Sequence, residues 1–348
     1  MQNSNPRRLR GGAFAIASLF GLIASVSTGD AAEQTKYPLT LQNCGVPVTF
    51  NKAPERAVTI GQSSTEILLS LGLADKMVGT AVWVGPVLKG FESQNEKIRR
   101  LADNSPSFES VVGQEPDLVA VQFEWDVGPN GAVGTREQFS ELDIPTYVSP
   151  ADCVAKDNSG GGDGVRKVPF TMELVYQEIR ELAGIFDVQE RGEQLVADLK
   201  KREAEAIASV AGTKAAGLPI VFWFSSKDLK GDAFIAGKNG APAYILQALG
   251  AKNVIDTEEE WPLVSWETIV GKDPAVIVIA EMDRRRYAAD DPAVKIGFLE
   301  SDPVTGQLDT VRKKHFVMMD AQSMNPTIRT IDGIEALADG IRQFGLTN

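Results

Sequence analysis

The feature that most limits what this chain can become is a partial copy of itself. Residues 108–121 read FESVVGQEPDLVAV and residues 266–279 read WETIVGKDPAVIVI. Without gaps, Glu109 falls on Glu267, Val112 on Val270, Gly113 on Gly271 and Pro116 on Pro274. Phe108 with Trp266, Ser110 with Thr268 and Glu115 with Asp273 keep size or charge. An earlier stretch is copied as well: ILLSLGLADKMVG (67–79) resembles ILQALGAKNVID (245–256). Each predicts a helix end with Gly72 or Gly250 just beyond it, because glycine accepts a left-handed backbone without a Cβ penalty. Such a duplication asks for two halves built to one plan, and 348 residues are enough for two domains.

Both halves read strand, helix, strand, short helix, strand, helix, strand. The predicted strands are 57–60, 77–80, 118–122 and 146–148, then 220–224, 253–255, 276–280 and 316–319. LVAVQ, IVFWF and VIVIA are unbroken apolar runs, which suits strands covered on both faces. Helices between them imply right-handed parallel βαβ units. The expected class is therefore α/β, with an N-terminal lobe over 37–168 and a C-terminal lobe over 216–346.

A helical stretch, 170–211, separates the lobes. Val175, Ile179 and Leu182 recur at helical spacing, and Leu195, Val196, Leu199, Ile207 and Val210 line one side of 189–211. A helix over 189–211 would span roughly 34 Å, a strut rather than a glycine hinge. SGGGDG at 159–164 lacks the Lys-Ser/Thr ending of a phosphate loop and reads as a surface loop. Ser63 and Glu66 form an S-x-x-E pattern, read as a capping box whose helix start faces the space between the lobes.

The first residues belong to export rather than fold. Arg7, Arg8 and Arg10 precede an apolar run from Ala13 to Val26, with Gly29 and Ala31 at cleavage-compatible positions. This is a secretory signal peptide over 1–31, and its run is too short to span a bilayer. Its removal leaves 32 basic and 46 acidic residues, a net charge of −14 that argues against nucleic acid as a partner. In an oxidising compartment Cys44 and Cys153 favour a disulfide within the first lobe, with two buried free thiols as the alternative.

With these residues in view, the chain resembles the substrate-binding proteins of ABC importers for ferric siderophores, haem and cobalamin. The resemblance rests on APERAVTI and STEILLSLGLADKMVGTA within 53–81, EPDLVAV at 115–121, the long helix, and EEWPLVSWETIV at 259–270. It implies two Rossmann-like lobes with central parallel sheets, joined by one long α-helix, with the ligand between them. It also implies a monomeric periplasmic protein, a permease dimer as partner, and no resident cofactor. Glu109 and Glu267 match the glutamates with which that family docks onto its permease; helix-start carboxylates are favourable for dipole reasons alone. Trp261 matches a ligand-facing aromatic. Trp83 and Trp125 follow predicted strand ends, Phe234 sits before Gly237, and Arg284, Arg286 and Tyr287 follow the strand 276–280, where α/β sheets hold ligands. Rings would pack on a bulky chelate while arginines meet its carboxylates. Trp223 reads equally well as core, and Trp266, which matches Phe108 in the repeat, reads as packing.

A metal chelate, with a ferric siderophore foremost, is the expected cargo, and cobalamin or another large organic cofactor is the alternative. A single histidine, His315, argues against direct capture of a bare metal ion. A secreted enzyme finds no G-x-S-x-G, no HExxH and no informative Cys/His spacing.

Overall fold

The LVAV and VIVIA runs become middle strands of two separate sheets in a computed structural model, which describes residues 1–2, 34–160, 163–212 and 215–346. The predicted signal peptide lies outside the described residues, save Met1 and Gln2. Both sheets belong to one compact unit, which begins at Glu33.

The first sheet holds β1 (Ala57–Ile60), β2 (Met77–Ala81), β3 (Arg100–Ala102), β4 (Leu118–Val121) and β5 (Thr146–Val148). Its order is β3-β2-β1-β4-β5, all parallel. Helix α1 (Gln62–Ser70) follows β1, and the short α2 (Phe108–Val112) precedes β4. Two helices, α3 (Glu173–Ile185) and α4 (Gln189–Ser209), then lead to the second half. There, β6 (Pro219–Ser226) has β8 (Lys252–Asn253) on one side and β10 (Val276–Glu281), then β11 (Phe316–Asp320), on the other, all parallel. This reproduces β2-β1-β4-β5. The second sheet departs from the expected all-parallel form at the far end of β6. There β7 (Ala233–Ile235) and β9 (Leu263–Val264) add an antiparallel edge. β6 runs eight residues, long enough to carry β8 at its start and β7 at its end.

The duplicated segment repeats in backbone detail. Ser107 caps α2 by accepting the Ser110 N–H, and Ser265 caps α6 (Trp266–Gly271) by accepting the Thr268 N–H. Their dihedrals, φ −74° and ψ 152° against φ −72° and ψ 152°, nearly coincide. Glu115 and Asp273 both take positive φ, at 50° and 45°. Gly72 and Gly250, past α1 and α5 (Ala241–Ala248), both stand at φ 72°.

The S-x-x-E reading of α1 is corrected. Its N-cap is Gly61, with no side-chain cap, so Ser63 lies inside the first turn. The start is set by a close approach: a Cβ on Gly61 would lie 2.2 Å from the Cβ of Gln122. Gln122 Oε1 accepts the Ser63 N–H at 3.0 Å, which satisfies one helix-start donor without any box.

An N-terminal hairpin, Leu39–Asn43 with Val46–Phe50, was not read from the sequence. Cys44 and Gly45 form its two-residue turn, both at positive φ. Cys44 is disulfide-bonded to Cys153, which staples the hairpin to the first half. Asn43 adds a reciprocal pair, donating to the Val148 carbonyl at 2.7 Å and accepting the Val148 N–H at 2.8 Å.

The strut ends at Ser209 rather than at 211 and is anchored at both ends. Arg191 donates to the Leu71 carbonyl of the first half at 3.0 Å. Arg202 pairs with Asp332 and Glu335 of α7 (Thr330–Gln343) at 2.5 and 2.6 Å. Eleven residues of helix hold these anchors about 16 Å apart.

Helix α3 buries Glu178 against the first lobe, where Ser149 Oγ donates to it at 2.5 Å and Ser64 Oγ at 3.4 Å. Burial pushes this carboxyl up to about 7. A raised acid favours folding while protonated. Its stabilisation is full below the ordinary glutamate range and is lost as pH climbs through about 7. Glu178→Gln keeps an acceptor for Ser149 and should gain about 3 kcal/mol over wild type at pH 8, but little at pH 4. Urea midpoints across that range test this. Parallel curves for the two proteins would show that Glu178 does not titrate there.

Candidate functional site

The carboxyl ends of the two sheets meet, and three sets of contacts join the halves there. The first is a polar floor. Gln122, just past β4, donates from Nε2 to Gln322 Oε1, just past β11, at 3.2 Å. Beside it, Arg329 donates from Nε to Glu66 Oε2 at 2.8 Å and from Nη2 to the Pro86 carbonyl at 2.7 Å; its Nη1 lies 3.2 Å from Asp320. Glu66 side-chain exposure is 1% and that of Arg329 is 8%, so this is a buried ion pair between the halves. Burial raises the Glu66 carboxyl from its usual range, against the opposing effect of Arg329. Gln62 completes the floor, accepting the N–H groups of Val84 and Gly85 at 3.1 and 3.2 Å.

The second set is at the rim. The Val84 carbonyl accepts the N–H groups of Asp283 and Arg284, both at 3.0 Å. The Arg284 guanidinium donates to the Trp83 carbonyl and to Asn104 Oδ1. The third set is a buried charge network. Glu260 meets Arg166 at 2.5 Å and Lys156 at 3.1 Å, and Lys156 also meets Asp152 at 2.5 Å. Arg166 sits on a small ribbon, Lys156–Asp157 with Val165–Arg166, which brackets the 159–164 segment read as a surface loop.

Around these contacts the predicted ligand residues are scattered. The Trp83 ring is 2% exposed, its N–H donating to Thr80 at 3.2 Å, with the Arg100 guanidinium 4.5 Å from its centroid. It is thus a packed residue whose carbonyl, not its ring, faces the other half. Val82, at φ 60°, turns the chain so that the Trp83 N–H bonds to the Asp103 carbonyl. Arg284 likewise ties the halves together rather than presenting a free guanidinium. Trp125 is 52% exposed, after Glu124, which accepts from Asn158 at 2.8 Å. Trp261 is half-buried and packs on Phe224 at 4.6 Å; the Phe224 carbonyl accepts from Lys295 at 2.6 Å. Burial lowers the Lys295 ammonium to about 8. Phe234 is half-buried on β7, opposite Leu263. Arg286 is exposed, its guanidinium 5.5 Å from the half-buried Tyr287 ring. Trp223 and Trp266 are core, 4.6 Å apart.

Glu109 and Glu267 are exposed, each in the first turn of its Ser-capped helix. His315 stacks on Phe344 at 4.7 Å. Among the described residues no group of three or more His, Cys, Asp or Glu side chains could hold a metal ion. Sequence reasoning missed Gln122, Gln322, Arg329, Glu260 and Arg166. Only Gln122 carried a signal, as the polar residue closing the apolar run LVAVQ.

Comparison with known proteins adds an independent line. A family described as periplasmic binding protein matches residues 58–323. An uncharacterised ABC transporter substrate-binding lipoprotein of Bacillus subtilis is 22% identical over 307 residues, 88% of this chain and 86% of that protein. A vitamin B12-binding protein of Vibrio parahaemolyticus is 21% identical over 287 residues, 82% of this chain and 88% of that one. The crystal structure of an ABC-type Fe3+-hydroxamate transport system from Saccharomonospora viridis is 26% identical. It superposes with a TM-score of 0.69, covering 88% of this chain and 99% of that one.

Proposed function

Because the chain belongs to the periplasmic binding protein family, we propose that it captures a metal chelate, foremost a ferric siderophore, outside the cytoplasm and delivers it to the permease of an ABC importer. Its part is binding, not catalysis. The observation that carries the reading is the pair of matching α/β halves, facing each other by the carboxyl ends of their sheets and braced by a helix anchored to both. Ligands of such sheets lie beyond those ends. The Fe3+-hydroxamate relative favours the iron chelate, and the vitamin B12-binding relative supports cobalamin as the second reading.

Trp261, Phe234, Trp125 and Tyr287 are the proposed apolar contacts, with Arg286 the cation for a ligand oxygen. Their places after strand ends also put Trp83 and Arg284 among the expected ligand contacts, although here one is packed and the other bridges the halves. Glu109 and Glu267 are the proposed permease contacts. No resident cofactor is required, since the chelate is cargo.

Mass spectrometry of gently purified protein, followed by tryptophan-quenching titrations with ferric chelates and cyanocobalamin, tests the reading. Saturable quenching with no chemical product is expected. Failure of every chelate and corrinoid to bind would reject it.

A further inference from the structure

The floor between the halves contains two buried polar groups that the fold leaves unsatisfied. Ser63 is 2% exposed and Gln322 is 1% exposed, yet Ser63 Oγ and Gln322 Nε2 have no hydrogen-bond partner among the described residues. Both belong to one short chain of contacts. The backbone N–H of Ser63 donates to Gln122 Oε1 at 3.0 Å, which fixes which end of the Gln122 amide is oxygen. Gln122 Nε2 must then donate to Gln322 Oε1, so the free end of Gln322 is its NH2. A buried donor without an acceptor opposes folding, and its presence in a native fold calls for a reason. Ser63 also stands in the first turn of the nine-residue α1, whose orphan N–H groups favour an acceptor.

The charges nearby decide what kind of acceptor fits. Arg329 is engaged by Glu66, Asp320 and the Pro86 carbonyl, and Asp320 also accepts the Gln322 N–H at 2.8 Å. Two carboxylates against one guanidinium leave the floor with no cation to spare. At the rim, Arg284 is taken by Trp83 and Asn104, Arg285 pairs with Asp291 at 2.8 Å, and Asp283 is exposed near Arg286 in sequence. At the floor an anionic group would set its charge against Glu66 and Asp320, whereas a neutral oxygen would meet the Ser63 hydroxyl and the Gln322 amide as donors; Arg286 lies outside the floor, at the rim.

Resting on the capture role proposed above, we infer that Ser63 and Gln322 recognise an uncharged amide- or hydroxamate-type oxygen of the cargo, so that the protein selects neutral, amide-rich ligands over polyanionic chelates. Parting the halves separates Gln122 from Gln322 and uncovers both donors to the ligand.

The test measures tryptophan quenching in the full mature protein with three probes. Ferrichrome is a neutral ferric trihydroxamate, cyanocobalamin a neutral amide-rich corrinoid, and ferric enterobactin a trianionic tricatecholate. Wild type should bind one of the two neutral probes at least tenfold more tightly than the tricatecholate, and which one it is separates the two sources of the shared chemistry. Ser63→Ala removes no bond seen within the protein, so its melting temperature should hold while affinity for that neutral probe falls roughly tenfold. Gln322→Leu should weaken it further.

Equal or tighter binding of the tricatecholate would overturn the inference while leaving the capture role standing. So would Ser63→Ala and Gln322→Leu both binding within twofold of wild type. Binding of none of the three, nor of any other chelate or corrinoid, would remove the capture role and this inference with it.

Discussion

With Glu109 and Glu267 both changed to arginine, uptake of the cargo into cells is expected to fall to background, while the purified protein binds that cargo within twofold of wild type. Both carboxylates are exposed, each in the first turn of a short helix capped by serine in matching geometry. Among the described residues neither forms an ion pair, and neither joins the two halves. Two equivalent acidic points on duplicated lobes suit a partner that is itself two-fold symmetric. Reversing both charges turns attraction into repulsion at two places, and like charges across an interface oppose docking strongly. Each single substitution should leave partial uptake. Uptake that survives the double change would mean the permease reads some other surface.

The second large effect is on stability. Arg329→Met is expected to cost about 3–5 kcal/mol, because it strands Glu66 without its guanidinium partner in a buried site. Glu66 would keep the Gln62 amide and the Leu88 N–H, at 3.0 and 3.1 Å, but no neutralising charge. Burial already raises this carboxyl, and removing Arg329 raises it further, since the guanidinium lowers it. A raised acid stabilises the fold only while protonated, so the deficit should be smaller at pH 5 than at pH 8. Adding Glu66→Gln should recover much of the loss, since no buried charge then remains unpaired. Denaturant midpoints for the two singles and the double close the cycle. A loss under 1 kcal/mol for Arg329→Met would show that the pair contributes little to holding the halves together.

Much of the architecture was legible because it is written in local terms. The left-handed Gly72 and Gly250, the acidic helix starts at Glu109 and Glu267 and the apolar strand runs each depend on residues a few positions apart, and each recurs in both halves. The antiparallel edge of β7 and β9 and the N-terminal hairpin escaped because they are short, two to five residues a strand, too brief for a clear period. The Ser63–Glu66 pattern misled for a related reason. A capping box is a local rule, and a distant side chain, Gln122, overrode it by claiming the Ser63 N–H.

The candidate site was far less legible. Trp83 stands at a strand end, as a ligand-facing ring should, but the positive φ at Val82 and the Thr80 hydroxyl turn its indole inward. Arg284 looked like a free cation until the Trp83 carbonyl and Asn104 were brought to it from about 200 residues and 180 residues away in sequence.

From residue order alone came the duplication, the α/β class, the strut and the matched pair of acidic helix starts, all products of short-range spacing. Folding decided which charges pair across the halves, such as Glu66 with Arg329, 263 positions apart, and which buried donors go unanswered. Those choices depend on how two separately formed sheets are set against each other, and a long-range juxtaposition of that kind leaves no periodic trace in a single chain.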